Sequence, residues 1–123
     1  MLCRIPLRKT RTLIVESDRI SRDALAGLLR LRGHLVDGAQ TLHEALDKLY
    51  TFVPTRLIVD LRLPDGSGLD LLRRVREFHM PARIAAVVSD PNDVLTLREL
   101  RILKPDLLME KPFDIAPILQ FVR

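Results

Sequence analysis

Residues that can handle a metal ion and a phosphoryl group follow four short apolar runs of this chain. In chain order they are Glu16, Ser17, Asp18, Asp60, Ser89 and Lys111. The clearest run, residues 57–59, leads directly into Asp60. In an open parallel sheet, ligands bind just beyond the carboxyl ends of the strands. If the four runs are parallel strands of one sheet, their polar ends form a single site of acids, hydroxyls and a lysine.

Asp60 is the candidate for direct chemistry, since a carboxylate can attack phosphorus when the incoming charge is neutralised and the oxygens are oriented. Phosphoryl transfer depends mainly on such positioning and electrostatics. Mg²⁺ suits this role because it is a hard ion that binds one or two carboxylates besides the phosphate. Glu16 and Asp18 supply further carboxylates. Lys111 can pair with phosphoryl oxygens as a point charge, and Ser89 can donate a hydrogen bond.

The strands that carry these residues alternate with helical patterns, which is typical of βαβ units and a parallel sheet. Five strands and five helices account for nearly the whole chain. Asp18 is expected to cap the first helix, and a capping box at Thr41 and Glu44 begins the second. The apolar face predicted for the first helix consists of Ile20, Ala24, Leu28 and Leu31.

The pattern beyond Asp60 predicts the bounds and the buried faces of the next two helices. The third helix follows the turn at 64–68 and is expected to bury Leu71, Leu72, Val75 and Phe78. The fourth helix, over residues 91–103, is predicted to have Asp90 as its cap and Pro91 as its first residue. Val94 and Leu97 of this helix are expected to face inward.

Length and composition indicate one globular domain of 123 residues, of which 47% are apolar. No apolar run approaches the ~20 residues that span a bilayer. The first residues lack the long apolar stretch of a secretory signal. Cys3 is the only cysteine, so no internal disulfide can form. We therefore expect a cytoplasmic protein without membrane association.

The net charge of +4 arises in a basic N-terminal arm, residues 1–11, which carries Arg4, Arg8, Lys9 and Arg11. The rest of the chain balances 16 basic against 16 acidic residues. We interpret the arm as a solvated terminus, and contact with nucleic acid or an acidic surface is the alternative. No aromatic residues are interleaved with these charges, so nucleic acid is not an expected partner.

The sequence resembles the response-regulator receiver family of two-component signalling. The motifs that carry the resemblance are Val15-Glu16-Ser17-Asp18, the segment 60–66, Val88-Ser89 and Lys111-Pro112-Phe113. The resemblance extends from residue 12 to about residue 121 and implies a receiver domain over residues 12–123. It also implies a flavodoxin-like, doubly wound (βα)5 α/β fold, with a five-stranded parallel sheet in the order 2-1-3-4-5.

The resemblance further implies a role for each site residue. Asp60 is then the phosphoacceptor for a histidine kinase or phosphotransfer protein, Lys111 contacts the phosphate, and Ser89 turns toward it. Mg²⁺ is held by Glu16, Asp60 and the backbone carbonyl of Arg62. Such a domain is a signalling switch rather than an enzyme, although it assists its own phosphotransfer and dephosphorylation. A cis peptide bond is expected before the proline at position 112.

The resemblance also implies where partners bind. The surface formed by residues 91–121 is expected to bind a downstream protein, and a homodimer through the fourth and fifth helices is expected by analogy. The sequence leaves open the identity of the kinase and of the output. It also leaves open whether the chain is a stand-alone regulator or a fragment of a longer one.

Two positions depart from the family pattern. Ser17 stands where the family usually has a second acid that binds Mg²⁺ directly, and Asp18, one position later, is either a ligand or only a helix cap. A hydroxyl is a poorer ligand for a hard dication, so Mg²⁺ binding is expected to be weak. Leu108 stands where the family often has an aromatic switch residue. The alternative function is therefore an atypical receiver that binds proteins independently of phosphorylation.

Overall fold

The computed structural model describes residues 10–123, which form five helices around a parallel sheet. The strands are β1 (Arg11–Val15), β2 (Leu35–Ala39), β3 (Arg56–Asp60), β4 (Arg62–Leu63), β5 (Gly66–Ser67), β6 (Arg83–Val88) and β7 (Leu107–Glu110). The helices are α1 (Arg19–Leu31), α2 (Leu42–Thr51), α3 (Gly68–Glu77), α4 (Val94–Leu103) and α5 (Ile115–Phe121). The basic arm lies outside the described residues at 1–9, and Arg11 begins β1.

The main sheet has the order β2-β1-β3-β6-β7 and all its strand pairs are parallel. Strands β6 and β7 are the fourth and fifth strands of this sheet, so the predicted order 2-1-3-4-5 is confirmed. Strands β4 and β5 form a separate antiparallel hairpin directly after Asp60. The register places Val15 beside Val59 and Asp60 beside Val87, which brings the carboxyl ends of the central strands together.

Alternating side chains of the strands build a core on each face of the sheet. On one face Leu13 and Val15 pack with buried residues of α2, α3 and α4. On the other face Ile14 packs with α1 and with Ile118 and Val122 at the end of the chain. Strands buried on both faces read as continuous apolar runs, which is the pattern that made them recognisable in the sequence. Within residues 10–123, no helix combines the length and apolar character needed to cross a membrane.

The predicted start of the fourth helix is wrong. Asp93, not Asp90, is the cap of α4, because its carboxylate accepts hydrogen bonds from both the amide and the hydroxyl of Thr96. The Asp90 carboxylate accepts from the Asn92 amide and so stabilises a turn before the helix. With the later start, Val94 is exposed, while Leu97 packs against the core.

Two apolar faces also differ from the predictions. In α1 the buried residues are Ala26 and Leu29, and the expected Ile20, Ala24 and Leu31 are exposed. The helix therefore has apolar side chains on two faces, and only one of them meets the sheet. In α3, Phe78 is the C-cap residue and is 63% exposed, because the chain leaves the helix there and turns away from the core.

Candidate functional site

Lys111 joins two carboxylates at the carboxyl edge of the sheet. Its Nζ donates to Glu16 Oε1 at 2.5 Å and to Asp60 Oδ2 at 2.6 Å. Glu16 directly follows β1, Asp60 ends β3, and Lys111 directly follows β7. The Lys111 amide also donates to the carbonyl of Val88 at 2.9 Å, which fixes its backbone beside β6. Three residues that are far apart in the sequence thus meet as predicted, through parallel strands that end at one edge.

Asp60 is the floor of a cavity of about 580 Å³, here called the site cavity. Its walls come from β1, α1 and the segment after β7, and include Leu25, Leu28 and Phe113. Asp60 is only 5% exposed because Lys111 covers it. The carboxylate is therefore not freely open to solvent. The carboxylate instead lies at the bottom of an opening that Lys111 partly fills.

The charge of Lys111 is stabilised by its partners. Burial by itself lowers the pKa of Lys111, but the hydrogen bonds and charges of Asp60 and Glu16 outweigh burial and raise that pKa. Lys111 is one-third exposed, so water screens part of this interaction. The site thus holds two carboxylates and one permanent ammonium, an arrangement suited to receiving an anionic group beside a cation.

The three polar residues of the loop after β1 differ in burial and in hydrogen bonding. Glu16 is buried, and its Oε2 accepts from the Asp18 amide at 3.3 Å. Asp18 caps α1 by accepting from the amide and hydroxyl of Ser21 at 2.9 and 2.6 Å, which lowers the pKa of its carboxyl group. Ser17 lies between them and is exposed. Asp18 was expected to be either a metal ligand or a helix cap, and its hydrogen bonds to Ser21 are those of a cap.

Arg22 and Gly38 fix this loop, and sequence reasoning missed both. The Arg22 guanidinium donates to the carbonyl of Glu16 at 2.8 Å and lies 3.5 Å from that of Ser17. Its stem crosses β2 at Gly38, where an added Cβ would lie 3.0 Å from Arg22 Cδ. A glycine inside a strand often marks such a close approach, so Gly38 was a usable signal. Nothing in the sequence singled out Arg22.

Ser89 and Arg62 lie on the other side of Asp60. The Arg62 amide donates to Asp60 Oδ1 at 3.0 Å, which orients the carboxylate. Ser89 is exposed and lines a second cavity of about 270 Å³ together with Arg62, Asp93 and Thr96. No hydrogen bond links Ser89 to Asp60 or Lys111 in the described part of the chain. The structure therefore assembles Glu16, Asp60 and Lys111, and leaves Ser89 beside them.

The segments that flank the site are held closely. Gly68, the first residue of α3, packs so tightly that a Cβ there would lie 2.7 Å from the carbonyl oxygen of Asp60. Asp65, in the hairpin after Asp60, accepts from the amides of Leu42 and His43 at 2.7 and 2.9 Å and so ties the hairpin to the start of α2. The Lys111–Pro112 peptide bond is cis, as the resemblance implies.

The carboxylates at this edge of the sheet meet part of what Mg²⁺ requires. Among the described residues, no group of three or more His, Cys, Asp or Glu side chains forms a metal-ligand cluster. Glu16 and Asp60 provide two carboxylates that share one ammonium. Since Mg²⁺ usually keeps several waters and needs only one or two carboxylates beside a phosphate, this pair fits a site that is completed by the phosphoryl group.

Comparison with curated proteins finds relatives that regulate transcription or tolerance to stress. The chain is 37% identical over 116 residues to the virulence transcriptional regulatory protein PhoP of Salmonella typhimurium. This alignment covers 89% of this chain and 48% of PhoP. It is 32% identical over 107 residues to the acid tolerance regulatory protein ActR of Rhizobium meliloti. That alignment covers 87% of this chain and 55% of ActR. The chain spans about half the length of these relatives.

Comparison with solved structures finds the same fold. A response regulator receiver protein from Pseudomonas putida aligns with a TM-score of 0.82 and 30% identity, covering 94% of this chain and 97% of that chain. A CheY-like response regulator receiver domain from Methylobacillus flagellatus aligns with a TM-score of 0.79 and 31% identity, covering 94% and 100%. The family model for the response regulator receiver domain matches residues 12–123. With its sheet order and its strand-end carboxylates, the chain therefore belongs to the response regulator receiver domain family.

Proposed function

We propose that this receiver domain accepts a phosphoryl group on Asp60 from a phosphohistidine of a histidine kinase or phosphotransfer protein. The observation that carries the proposal is the contact of Lys111 with Asp60 and Glu16 at the floor of the site cavity. This contact brings together a nucleophile, a neighbouring cation and a second carboxylate. Receiver domains as a family are signalling domains that interact with histidine kinases and typically use Mg²⁺. A cytoplasmic location stays a prediction from the sequence.

In the proposed step, an Asp60 carboxylate oxygen forms a bond to phosphorus while the bond from phosphorus to the donor's histidine nitrogen breaks. The electron pair of that bond returns to the imidazole. Lys111 would pass from the carboxylate to the new phosphoryl oxygens, and its flexible stem allows this movement. Glu16, Asp60 and the Arg62 carbonyl would hold Mg²⁺, which supplies charge neutralisation for the transferring group.

The donor has an apolar approach to Asp60. Ala24 and Leu28 of α1 lie on one side of the site cavity, and Phe113 and Ile115 lie on the other. Ile20, on the same helix, is exposed. A protein carrying the phosphohistidine can therefore bury apolar surface beside the site and bring its phosphoryl group to the buried carboxylate. The apolar surroundings of the site cavity therefore suit a phosphoryl donor carried on a protein better than a small donor molecule.

Phosphorylation of Asp60 is proposed to change how the surface formed by residues 91–121 binds a downstream protein. Ser89 lies two residues before this segment and is free to turn toward a phosphoryl group at Asp60, since its hydroxyl has no hydrogen-bond partner in the described chain. Leu95, Ile102 and Leu108 expose apolar side chains on α4 and β7. Phosphorylation can shift the affinity of this surface for a partner only if the phosphoryl group stabilises its two conformations to different extents. Homodimer formation through α4 and α5 stays a prediction.

Incubation with acetyl phosphate and Mg²⁺, followed by intact-protein mass spectrometry, tests the phosphoacceptor. We expect the mass to rise by one phosphoryl group in the wild type and to stay unchanged in Asp60→Asn. Asp90→Asn is the matched control, because Asp90 is an exposed acid after the neighbouring strand. An adduct that persists in Asp60→Asn would move the phosphoacceptor elsewhere, and absence of an adduct from both the wild type and the Ser17→Asp variant would end the proposal.

A second candidate function, protein binding without phosphorylation, is favoured by Ser17. This position offers a hydroxyl instead of a carboxylate, and the Arg22 guanidinium lies against the same loop. Ser17→Asp is expected to tighten Mg²⁺ binding at least about tenfold, since a carboxylate suits a hard cation better. The rate of phosphorylation should rise with it, and Ser17→Asn is the uncharged control.

Mg²⁺ titration and the rate of adduct formation distinguish the two candidates. If Ser17→Asp restores rapid phosphorylation, the wild-type site is merely weakened. If neither the wild type nor Ser17→Asp accepts a phosphoryl group, and partner binding is unchanged by Asp60→Ala, the phosphorylation-independent module is the better description.

A further inference from the structure

The ends of α2 and α3 expose an unusual share of the aromatic residues of this chain. The chain has one tyrosine and four phenylalanines, and Tyr50, Phe52 and Phe78 all lie here, with Phe52 partly buried against the core. Tyr50 is 56% and Phe78 63% exposed, and the neighbouring Val53 is 57% exposed. Most of their apolar area thus faces solvent although the core lies directly beneath. We call Tyr50, Val53, Arg74 and Phe78 the α2–α3 surface.

Arg74 makes these side chains one surface rather than scattered exposed residues. Its guanidinium donates to the Tyr50 hydroxyl at 3.3 Å and lies 5.6 Å from the centre of the Phe78 ring. One guanidinium therefore joins aromatic side chains from two different helices. Arginine and aromatic residues held together in this way are the composition enriched among residues that dominate binding energy at protein interfaces.

A second guanidinium lies at the end of α2. Arg11 lies 4.6 Å from the centre of the Phe52 ring and donates to the carbonyls of Phe52 and Val53 at 3.0 and 3.3 Å. Val53 has a φ of 53°, a left-handed conformation that costs a β-branched residue strain. Arg11 bonds therefore hold an exposed valine in a conformation that it would otherwise avoid.

The charges indicate what kind of partner fits. In residues 10–123, neither Arg11 nor Arg74 forms an ion pair with a carboxylate, whereas Arg73, one residue away, pairs with Asp70 and Glu99. Two exposed acids, Asp47 and Glu77, lie close in sequence to the aromatic residues. They would repel a continuous phosphate backbone but leave room for single carboxylates aimed at the guanidinium groups.

We propose that the α2–α3 surface binds an acidic segment of another protein, which places an apolar or aromatic side chain between Tyr50 and Phe78 and a carboxylate on Arg74. The helices run opposite to the strands, so this surface lies at the edge of the sheet remote from Asp60. The length of strand β3 puts roughly 13 Å between this edge of the sheet and the edge that carries Asp60. The surface is thus a second docking site, separate from both the phosphoacceptor and the segment 91–121.

Selection from a displayed library of short random peptides on the full chain tests this. We expect the enriched peptides to combine Asp or Glu with large apolar residues. Their affinity should fall at least about tenfold in Arg74→Gln and in Phe78→Ser, the size expected for residues that dominate an interface. Tyr50→Phe, which removes only the hydroxyl that Arg74 contacts, should give a smaller loss.

Matched exposed residues on α4 provide the controls. Arg98→Gln and Ile102→Ser should leave peptide binding unchanged, and so should Asp60→Asn. Tyr50, Phe78, Arg98 and Ile102 are exposed and Arg74 is partly exposed, so variants at these positions are expected to fold. Asp60 is buried, but asparagine has nearly the same shape, and thermal melting verifies that every variant folds. The proposal is overturned if enriched peptides lack acidic residues, or if their binding depends on α4 rather than on Arg74 and Phe78. Tighter binding of a single-stranded oligonucleotide, or self-association lost in Phe78→Ser, would also overturn it.

Discussion

At the scale of single residues, the chemistry depends on how Lys111 divides its charge between two carboxylates. Glu16 and Asp60 each accept one hydrogen bond from its ammonium group and are both buried. Without a cation between them, the two carboxylates would repel each other at close range. The Lys111 ammonium therefore neutralises the same carboxylate oxygens that Mg²⁺ would bind, so the two cations would compete for them.

Lys111→Met keeps most of the length of the side chain but removes its charge. We expect the free energy of unfolding to fall by about 1–3 kcal/mol, less than the 3–5 kcal/mol of a fully buried pair because Lys111 is partly exposed. Mg²⁺ should then raise the melting temperature more than in the wild type, since it offsets a larger repulsion. Thermal melting across a Mg²⁺ titration measures both effects. Arg101→Met on α4 is the control, and an Mg²⁺ effect no larger than in the wild type would contradict the competition.

At the scale of elements, the start of α3 sets the position of Asp60. Gly68 begins this helix and donates its amide to the carbonyl of Leu61 at 2.9 Å. The space for a side chain at Gly68 is filled by Val59 Cγ1 and by the backbone of Asp60 and Leu61, all within 3 Å of an added Cβ. The helix and the end of β3 are thus in direct backbone contact, and neither can move without the other.

Gly68→Ala is expected to destabilise the fold by about 1–3 kcal/mol, because the new methyl group meets backbone atoms that cannot yield cheaply. Phosphorylation should slow as well, since the end of β3 that carries Asp60 must shift. Gly27→Ala in α1 is the matched control: nothing lies within 4 Å of its added Cβ. There alanine should stabilise the helix by up to about 1 kcal/mol. Denaturant unfolding and acetyl phosphate labelling measure the two effects, and equal behaviour of the two variants would contradict this account.

At the scale of the whole molecule, the site joins parts of the chain that the fold alone brings together. Its three charged residues follow β1, β3 and β7, and the sheet order places β3 between β1 and β6. A ligand that binds these residues at once binds only the folded chain. Binding must therefore stabilise the whole domain, by an amount set by ligand concentration and affinity.

Mg²⁺ with beryllofluoride, a mimic of the phosphoryl group, is expected to raise the melting temperature. At a ligand concentration about 100 times the Kd, the gain is about 2.7 kcal/mol, or roughly 10 °C for a domain of this size. Differential scanning calorimetry measures the shift. Asp60→Asn should show almost none of it, and a shift of the same size in that variant would place the ligand at another site.

The sequence by itself predicted a parallel α/β sheet and the meeting of Glu16, Asp60 and Lys111, and its resemblance to the receiver family implied the strand order. Apolar runs buried on both faces have a strong pattern, and a parallel sheet brings their ends to one edge whatever the details of packing. Caps made by a side chain on its own helix, such as those at Asp18 and Thr41, were also predictable because the interaction is local.

Only the tertiary structure decided which helix faces are buried and how closely the site is packed. The two apolar faces of α1 cannot be ranked without the sheet, and the exposure of Phe78 depends on where the chain leaves α3. Likewise, Arg22 reaches the loop after β1 only because it crosses β2 at Gly38. Each of these features depends on contacts between segments distant in the sequence, which local pattern and helix period do not encode.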